Sequence, residues 1–321
     1  MNDSQGPLLS VVVPLYNEEL VIAELYARLR AVLDAGEIDY EMVFVNDGSR
    51  DQTQELAKAI CVDNPKVKLL SFSRNFGHQI AVTAGLDNCS GQAVVIIDAD
   101  LQDPPEVIME MLAKWRAGCD VVYGVRLKRT GESLFKRLTA AAFYRILRRL
   151  TRVDIPVDTG DFRLMDRRVV DQLLKMRERN RFIRGMVSWI GFKQDKVEYV
   201  RDQRFAGETK YPFRKMLRFA VDGVLSFSDV PLKISSVFGM TCALLSFALI
   251  VYGLIVKLFY PQFAIPGWAS LFSVVLFLGG VQLMSVGILG EYLGRVYDEV
   301  KGRPLYVIRE RINFGSEERA S

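Results

Sequence analysis

The first hundred residues alternate between short runs of apolar, mostly β-branched residues and segments in which apolar residues recur every three or four positions. Runs of the first kind predict strands, and segments of the second kind predict amphipathic helices. The predicted strands are residues 8–16, 41–47, 67–73 and 92–100, and the helices between them are residues 19–33, 53–60 and 78–87. Strands that alternate with helices indicate an α/β fold with a doubly wound, mostly parallel sheet.

A different pattern begins near residue 234. Between residues 234 and 290 the only charged residue is Lys257, and the two apolar runs, 234–256 and 268–290, contain 23 residues each. A helix of this length reaches ~34 Å, which is enough to cross a hydrocarbon core of ~30 Å. The two runs therefore predict a transmembrane hairpin. The alternative of two helices buried in a soluble domain is less consistent with the absence of a polar stripe.

Basic residues flank the two apolar runs on the same side. They are Arg214, Lys215, Arg218 and Lys233 before the first run and Arg295, Lys301 and Arg303 after the second. The positive-inside rule then predicts that both termini are cytoplasmic, and the N-terminal segment does not resemble a signal peptide. We expect a multi-pass protein of the inner (plasma) membrane, with a cytoplasmic domain at 1–230, the hairpin at 231–295 and a cytoplasmic tail at 296–321.

Two further segments combine apolar residues at helical spacing with basic residues, at about 133–152 and 213–227. Basic amphipathic helices beside transmembrane spans are typical of interfacial helices on anionic lipid. The alternative is that these helices pack on the sheet or on another subunit. In either case a lipid phosphate would arrive at the depth of the headgroups.

Composition and motifs exclude several classes of protein. The net charge of +4 is small for a general nucleic-acid binder. The single histidine, His78, rules out HExxH zinc proteases and leaves a Ser-His-Asp triad only one possible base. The four cysteines are too widely spaced to indicate a zinc site or a disulfide framework. Neither a Walker A loop nor a GxGxxG motif is present in the sequence.

Polar residues follow each of the four predicted strands. They are Tyr16, Asn17 and Glu18; Asn46, Asp47, Gly48 and Ser49; Arg74 and Asn75; and Asp98 and Asp100. Ligands of doubly wound sheets bind at the carboxyl ends of the strands, so this pattern predicts a site at that edge. Any one of these groups, taken alone, could serve ordinary turn and helix-cap chemistry.

Asp98 and Asp100 carry the most specific chemistry in this set. In an extended segment, residues two apart point to the same side, so the two carboxylates would face one pocket. Like charges this close require a cation, and an all-oxygen ligand set favours Mg²⁺ or Mn²⁺. Such an ion takes its remaining ligands from substrate phosphates.

The ordered motifs VVVPLYNEE, VNDGSRDQT, SFSRNFGHQIA, IIDADLQDPPE, TGDFRLMDR and FAGETKYPF, followed by two apolar spans, resemble family 2 glycosyltransferases of the polyprenyl-phosphate type. These include the dolichyl-phosphate mannose synthases. The two-span tail with LGEYLGRVYDEVKGRPLY is most similar to the bacterial bactoprenol glucosyltransferases. The resemblance covers about residues 8–310 and implies a GT-A type, Rossmann-like fold and a homo-oligomer.

The resemblance also implies roles for individual residues. Pro14, Tyr16 and Glu18 would line the nucleotide pocket, and Asp47 would bind the base or ribose. The diphosphate and the metal would be held by Asp98, Asp100 and Gln102. The QxxRW motif of processive synthases is absent from the sequence, so we expect the transfer of one sugar per acceptor. The resemblance implies that this transfer is inverting. This product would serve modification of cell-envelope polysaccharide or lipopolysaccharide.

The expected acceptor, a polyprenyl phosphate, is largely a dianion at neutral pH because its second pKa is ~6. It needs positive charge to approach the anionic donor rather than a base to remove a proton. The candidate cations are Arg126, Arg163, Arg204 and Lys210. Asp161 is a candidate to orient an arginine or the acceptor. The resemblance implies a catalytic role for Asp100, Asp161 and Arg163, and the alternative for Asp161 is a structural ion pair.

The sequence leaves the sugar open. Branch resemblance favours UDP-glucose, while GDP-mannose, UDP-N-acetylglucosamine and a UDP-aminoarabinose derivative are alternatives. A non-catalytic lipid-binding scaffold and a carrier that flips lipids are the other classes of function. Intact acids at the strand ends argue against the scaffold. Two spans without an intramembrane ionisable residue argue against the carrier.

Overall fold

The computed structural model describes residues 7–127, 159–200, 230–259 and 267–315. The chain divides into two compact units. The first contains residues 1–148, 153–215 and 303–321, and the second contains residues 149–152 and 216–302. The amphipathic segments predicted at 133–152 and 213–227 lie outside the described residues, as do Arg204 and Lys210.

The first unit is built on a mixed sheet of eight strands in the order β7-β5-β6-β4-β1-β2-β3-β8. The strands are β1 Leu9–Leu15, β2 Tyr40–Asn46, β3 Val67–Phe72, β4 Ala93–Ile96, β5 Val121–Arg126, β6 Thr159–Asp166, β7 Gln194–Tyr199 and β8 Ile308–Ile312. Strands β4, β1, β2 and β3 are parallel neighbours, β5 and β7 are also parallel, and β6 and β8 run antiparallel to their partners. This arrangement confirms the predicted doubly wound α/β sheet and adds antiparallel strands to it.

Six helices accompany this sheet among the described residues. They are α1 Ile22–Ala35, α2 Thr53–Asp63, α3 His78–Asp87, α4 Val107–Arg116, α5 Arg167–Lys175 and α6 Ile183–Ile190. On α1 the residues that recur at helical spacing, among them Leu25, Leu29 and Leu33, are fully buried against the sheet. The three helices predicted between the first four strands are all confirmed.

Strand β1 is the centre of the core. Val11, Val12 and Val13 are all fully buried, which is the pattern of a parallel strand covered on both faces. Helix α3 packs closely on one of these faces, since a Cβ at Gly85 would lie 2.2 Å from a methyl carbon of Val12. This close approach fixes the start of α3, which carries His78, beside the carboxyl end of the sheet.

The chain after residue 302 returns to the sheet, which the sequence analysis did not predict. Strand β8 pairs antiparallel with the edge strand β3. The Tyr306 ring stacks on Phe72 with centroids 5.2 Å apart, and its hydroxyl donates to Asp87 over 2.7 Å. The Glu310 carboxylate lies 2.9 Å from Lys58 Nζ. Part of the segment predicted as a tail therefore belongs to the folded sheet and covers an otherwise open edge.

The second unit contains helices α7 Val230–Phe259 and α8 Trp268–Val300, at the positions of the predicted hairpin. The Ser235 hydroxyl donates to Ser285 Oγ over 2.8 Å, and the rings of Phe238 and Phe277 meet edge to face. Large apolar side chains are exposed along both helices. Within the described residues, the segment Phe277–Val300 is long and apolar enough to cross a membrane. Such a surface indicates association with a membrane.

Candidate active site

Hydrogen bonds hold the loop after β1 against the loop after β2. The backbone N–H of Asn17 donates to Ser49 Oγ over 3.0 Å, and Asn17 Oδ1 accepts from the Arg50 backbone over 2.9 Å. The backbone N–H of Glu18 donates to Thr53 Oγ1 over 2.8 Å. Asn17 has a φ of 56°, a left-handed conformation that asparagine tolerates better than most residues. These bonds fix the segment that carries Tyr16 and Glu18.

The residues predicted to line the nucleotide pocket differ in exposure. The Tyr16 side chain is exposed at the end of β1, and Glu18 is half-buried. Pro14 is buried within the strand. The exposed Tyr16 ring is therefore the group of this set with most surface free to meet a ligand. The contacts with nucleotide stay a prediction for all three residues.

Asp47 joins the end of β2 to the loop after β3. Its Oδ1 accepts from the Phe76 backbone over 2.6 Å, and its Oδ2 accepts from the Gly77 backbone over 2.9 Å and from Asn75 Nδ2 over 3.0 Å. Burial raises the pKa of Asp47, and the two backbone N–H groups oppose that rise. Because both oxygens are engaged within the chain, Asp47 organises the loop that leads into His78. Its predicted contact with base or ribose stays a prediction.

The acidic loop after β4 contains the predicted metal ligands Asp98, Asp100 and Gln102. The Gln102 backbone N–H donates to Asp100 Oδ1 over 3.1 Å, and Leu101 between them has a φ of 57°. This left-handed turn is unusual for leucine and costs about 1 kcal/mol. The Asp98 Oδ1 atom is buried without a hydrogen-bond partner among the described residues. A buried carboxylate oxygen of this kind has the chemistry of a cation ligand.

Negative charge accumulates around Asp98. Burial raises the pKa of Asp98 to about 6, with Asp161, Asp103 and Asp100 adding to the rise and His78 opposing it. The described residues contain no group of three or more His, Cys, Asp or Glu side chains placed to hold a metal. The two carboxylates and the Gln102 amide would supply hard oxygen ligands from one loop, and their role as metal ligands stays a prediction. Such a set suits a Mg²⁺ or Mn²⁺ ion that completes its shell with substrate oxygens.

Asp161 lies on β6 and is held by three donors from two helices. Arg184 Nε donates to Oδ1 over 2.7 Å, while His78 Nε2 and Gln79 Nε2 lie 3.0 and 3.1 Å from Oδ2. Burial alone would raise its pKa, but His78 and Arg184 hold the pKa of Asp161 well below the usual range. Asp161 therefore forms an ion pair with Arg184, while its catalytic role stays a prediction. A carboxylate this firmly ionised is a poor proton acceptor.

His78 connects Asp161 to the acidic loop. Its Nε2 atom also lies 3.6 Å from Oδ1 of Asp98, close enough for an ion pair but too far for a hydrogen bond. Burial lowers the pKa of His78, but the bond to Asp161 and the charge of Asp98 outweigh it and raise the pKa to about 9. The sequence indicates His78 only as a possible triad base and does not predict this contact. Its position just after the third strand is the signal that could have found it.

The two predicted cations that the structure describes have different surroundings. Arg163 is buried next to Asp161 on β6, and burial lowers its pKa to about 10. Its Nη2 donates to the Gly160 carbonyl over 3.1 Å. Arg126, at the end of β5, is partly exposed and contacts Asp103. The burial of Arg163 does not favour its predicted contact with the acceptor phosphate, which stays a prediction.

The sequence-predicted residues are thus only partly brought together. Hydrogen bonds join the loops after β1 and β2 and tie Asp47 to Gly77, the residue before His78. His78 in turn contacts Asp98 and Asp161. This continuous polar edge could hold a nucleoside diphosphate with a divalent cation. His78, Gln79 and Arg184 are the members that the sequence did not predict.

Comparisons with known proteins match both units of the chain. Residues 10–174 match Glycosyl transferase family 2, and residues 230–296 match the GtrB C-terminal hairpin. An uncharacterized glycosyltransferase of Bacillus subtilis, YkcC, is 54% identical over 94% of this chain and 93% of its own length. The bactoprenol glucosyl transferase of Shigella phage SfII is 43% identical over 94% of this chain and 97% of its own length.

One solved structure among those similar to this chain is glucosyl-3-phosphoglycerate synthase from Mycobacterium tuberculosis, in complex with Mn²⁺, UDP-glucose and glycerol 3-phosphate. The similarity has a TM-score of 0.45 and 20% identity, and covers 68% of this chain and 78% of that chain.

Proposed function

The chain belongs to glycosyl transferase family 2 and is a glycosyltransferase, and on that basis we propose that it transfers one glucose from UDP-glucose to undecaprenyl phosphate. Similarity to bactoprenol glucosyl transferases along nearly the whole chain supports the glucosyl group and the polyprenyl acceptor, and the choice of UDP as carrier follows the family resemblance. The observation that carries the proposal is the buried Asp98 oxygen, which has no hydrogen bond among the described residues and lies near other acids, in a chain whose second unit contains two long apolar helices.

The acidic loop would bind the donor diphosphate through a divalent cation. Asp98 and Asp100 would hold Mg²⁺ or Mn²⁺ with the amide of Gln102. When bound, this ion would stabilise the charge that develops on the leaving UDP. Tyr16 and Glu18, on the fixed loop after β1, would contact the nucleoside.

The acceptor phosphate would attack without a general base. One of its oxygens forms a bond to the anomeric carbon while the bond from that carbon to UDP breaks, and UDP leaves with the electron pair. A single displacement of this kind inverts the anomeric configuration. Arg126 would align the acceptor dianion, together with Arg204 and Lys210. Asp161 would act through His78 and Arg184, because its own carboxylate is already ionised.

The hairpin would place this chemistry at the membrane. We propose two spans, at 234–256 and 268–290, with both termini and the catalytic domain in the cytoplasm, and amphipathic segments at 133–152 and 213–227 that present the lipid. The basic residues at both ends of the hairpin support this orientation. A homo-oligomer is part of the same proposal.

A panel of nucleotide sugars tests the donor and the acceptor together. The purified full-length chain is incubated with labelled UDP-glucose, GDP-mannose, UDP-N-acetylglucosamine or a UDP-aminoarabinose derivative, with and without undecaprenyl phosphate. We expect labelled lipid from UDP-glucose alone. If labelled lipid forms from another donor instead, the proposed sugar is wrong and the sugar of that donor takes its place. Lipid binding without transfer from any donor would identify a non-catalytic scaffold.

A further inference from the structure

A second polar cluster lies next to the acidic loop and consists of Arg126, Asp103 and Tyr199. The Arg126 Nη2 atom lies 3.4 Å from both carboxylate oxygens of Asp103, and its Nε lies 3.4 Å from the Tyr199 hydroxyl. The Tyr199 hydroxyl donates to Asp103 Oδ1 over 2.5 Å. Arg126 and Tyr199 are register partners at the ends of the parallel strands β5 and β7. The cluster therefore joins two strand ends to the acidic loop.

Two glycines make room for this cluster. A Cβ at Gly160 would lie 2.6 Å from Arg126 Nη2, and a Cβ at Gly124 would lie 2.6 Å from Cε1 of the Tyr199 ring. Neither glycine has the positive φ that would require glycine for backbone reasons. The absence of side chains at these two positions leaves room for the Arg126 guanidinium and the Tyr199 ring. Phe162 packs edge to face against the Tyr199 ring.

Asp103 is rigidly placed. Its side chain is fully buried, and it follows directly after Gln102, one of the candidate metal ligands. Pro104 and Pro105 come next, and proline fixes the backbone φ near −65°. Helix α4 then begins at Val107. A carboxylate held in this way can fix a partner, whereas a flexible surface acid could not.

Arg126 remains partly accessible within this cluster. About a third of its side chain, 29%, is exposed, and the contacts to Asp103 and Tyr199 use Nη2 and Nε. A guanidinium carries five N–H donors in a planar fork, so these contacts leave donors on its Nη1 side for a ligand. Asp103 and Tyr199 together hold the plane of this fork in one orientation.

We propose that Asp103 is a positioning residue that holds the Arg126 guanidinium in the orientation that receives the acceptor phosphate, with Tyr199 as its support. This inference rests on the proposed function, because Arg126 is there a ligand of the polyprenyl phosphate. A preorganised arginine loses less side-chain freedom when the phosphate binds. Asp103 is also the residue after Gln102. It therefore links the position of Arg126, the proposed ligand of the acceptor, to the position of the acidic loop, the proposed ligand of the donor.

The test measures steady-state kinetics of the full-length chain for wild type, Asp103→Asn, Tyr199→Phe, Arg126→Ala and the double variant Arg126→Ala with Asp103→Asn. We expect Asp103→Asn to raise the KM for undecaprenyl phosphate about tenfold, which corresponds to about 1.4 kcal/mol. The KM for UDP-glucose should stay within about twofold. Tyr199→Phe should raise the acceptor KM about threefold, since it removes one support and keeps the ring.

The double variant shows whether Asp103 acts through Arg126. In that case Asp103→Asn raises the acceptor KM no further once Arg126 is alanine. The inference is overturned if Asp103→Asn leaves the acceptor KM unchanged, raises both KM values equally, or has the same effect with and without Arg126. If Asp103→Asn does not fold, as a thermal melt would show, Tyr199→Phe gives the same comparison. Absence of lipid product from the wild type would instead contradict the proposed function.

Discussion

The Nε2 atom of His78 lies 3.0 Å from Oδ2 of Asp161, although 83 positions separate the two residues in the sequence. His78 begins helix α3 and Asp161 lies on β6, so this contact ties the helix after β3 to a strand that runs antiparallel to its neighbours. It also holds Asp161 as an anion and leaves His78 next to Asp98. Asp161 is therefore part of a fixed ion-pair network with His78 and Arg184.

The network predicts how activity depends on pH. At saturating Mg²⁺, Asp161→Asn should lower kcat/KM by roughly 10–150-fold, the scale of one lost charge-assisted contact of ~1.5–3 kcal/mol. The acidic limb of the pH profile should remain near pH ~6, because it follows the second ionisation of the acceptor phosphate. If this limb disappears in Asp161→Asn, Asp161 is a base after all.

The same residue predicts a pH dependence of stability. Because the folded-state pKa of Asp161 lies well below its usual value, its stabilisation is present above the unfolded pKa of about 3.9 and is lost as the pH falls through the folded pKa. Denaturant unfolding of wild type and Asp161→Asn between pH 3 and 7 measures this. We expect a difference of about 2 kcal/mol at pH 7 that shrinks below pH ~4. A constant difference would contradict the shifted pKa.

The acidic loop predicts dependence on a divalent cation. Excess chelator should abolish transfer, and added Mg²⁺ or Mn²⁺ should restore it. Asp100→Asn should lower kcat/KM by at least ~100-fold, because it removes one of two anionic ligands. Asp39→Asn is a matched control, since Asp39 is exposed and precedes β2. It therefore lies at the amino ends of the parallel strands, opposite the acidic loop at their carboxyl ends. Full turnover in chelator would show that no metal is needed.

The returning strand β8 predicts a stability effect far from the acidic loop. Tyr306→Phe keeps the ring stacked on Phe72 but removes the hydrogen bond to Asp87. We expect a loss of about 1–2 kcal/mol in the free energy of unfolding, because a carboxylate loses one of its donors. The exposed Tyr297 provides the control variant Tyr297→Phe, which should unfold like the wild type. Equal stability of both variants would mean that the Asp87 contact contributes nothing.

The sequence predicts the central strands well because their apolar runs are long and uninterrupted. Strand β1 and the helices around it follow directly from that pattern. Strand β8 escaped prediction because its five residues, IRERI, are short, rich in charge and half exposed. Its place on the sheet depends on Phe72 and Asp87, more than two hundred positions earlier in the chain.

The residues of the candidate site also differ in how well the sequence predicts them. Asp98 and Asp100 could be predicted because they follow a buried strand directly and need no distant partner to be recognised. Arg184 could not, because its importance arises only when β6 pairs with β4 and brings Asp161 beside the helices. The position of His78 after the third strand marks it as a site candidate, but its contact with Asp161 depends on the same pairing. Arg163 shows the limit of the sequence in another way. It looks like a free cation in the sequence, but its place on the central strand β6 buries it.

The most direct test of the proposed function is mass spectrometry of the lipid formed by the purified full-length chain in liposomes with undecaprenyl phosphate, UDP-glucose and Mg²⁺. The account predicts undecaprenyl phosphate that carries one hexose, in an amount equal to the UDP released, and none of it from the Asp100→Asn variant. Release of UDP with unmodified lipid, or lipid that carries several hexoses, would contradict the transfer of a single sugar to a polyprenyl phosphate.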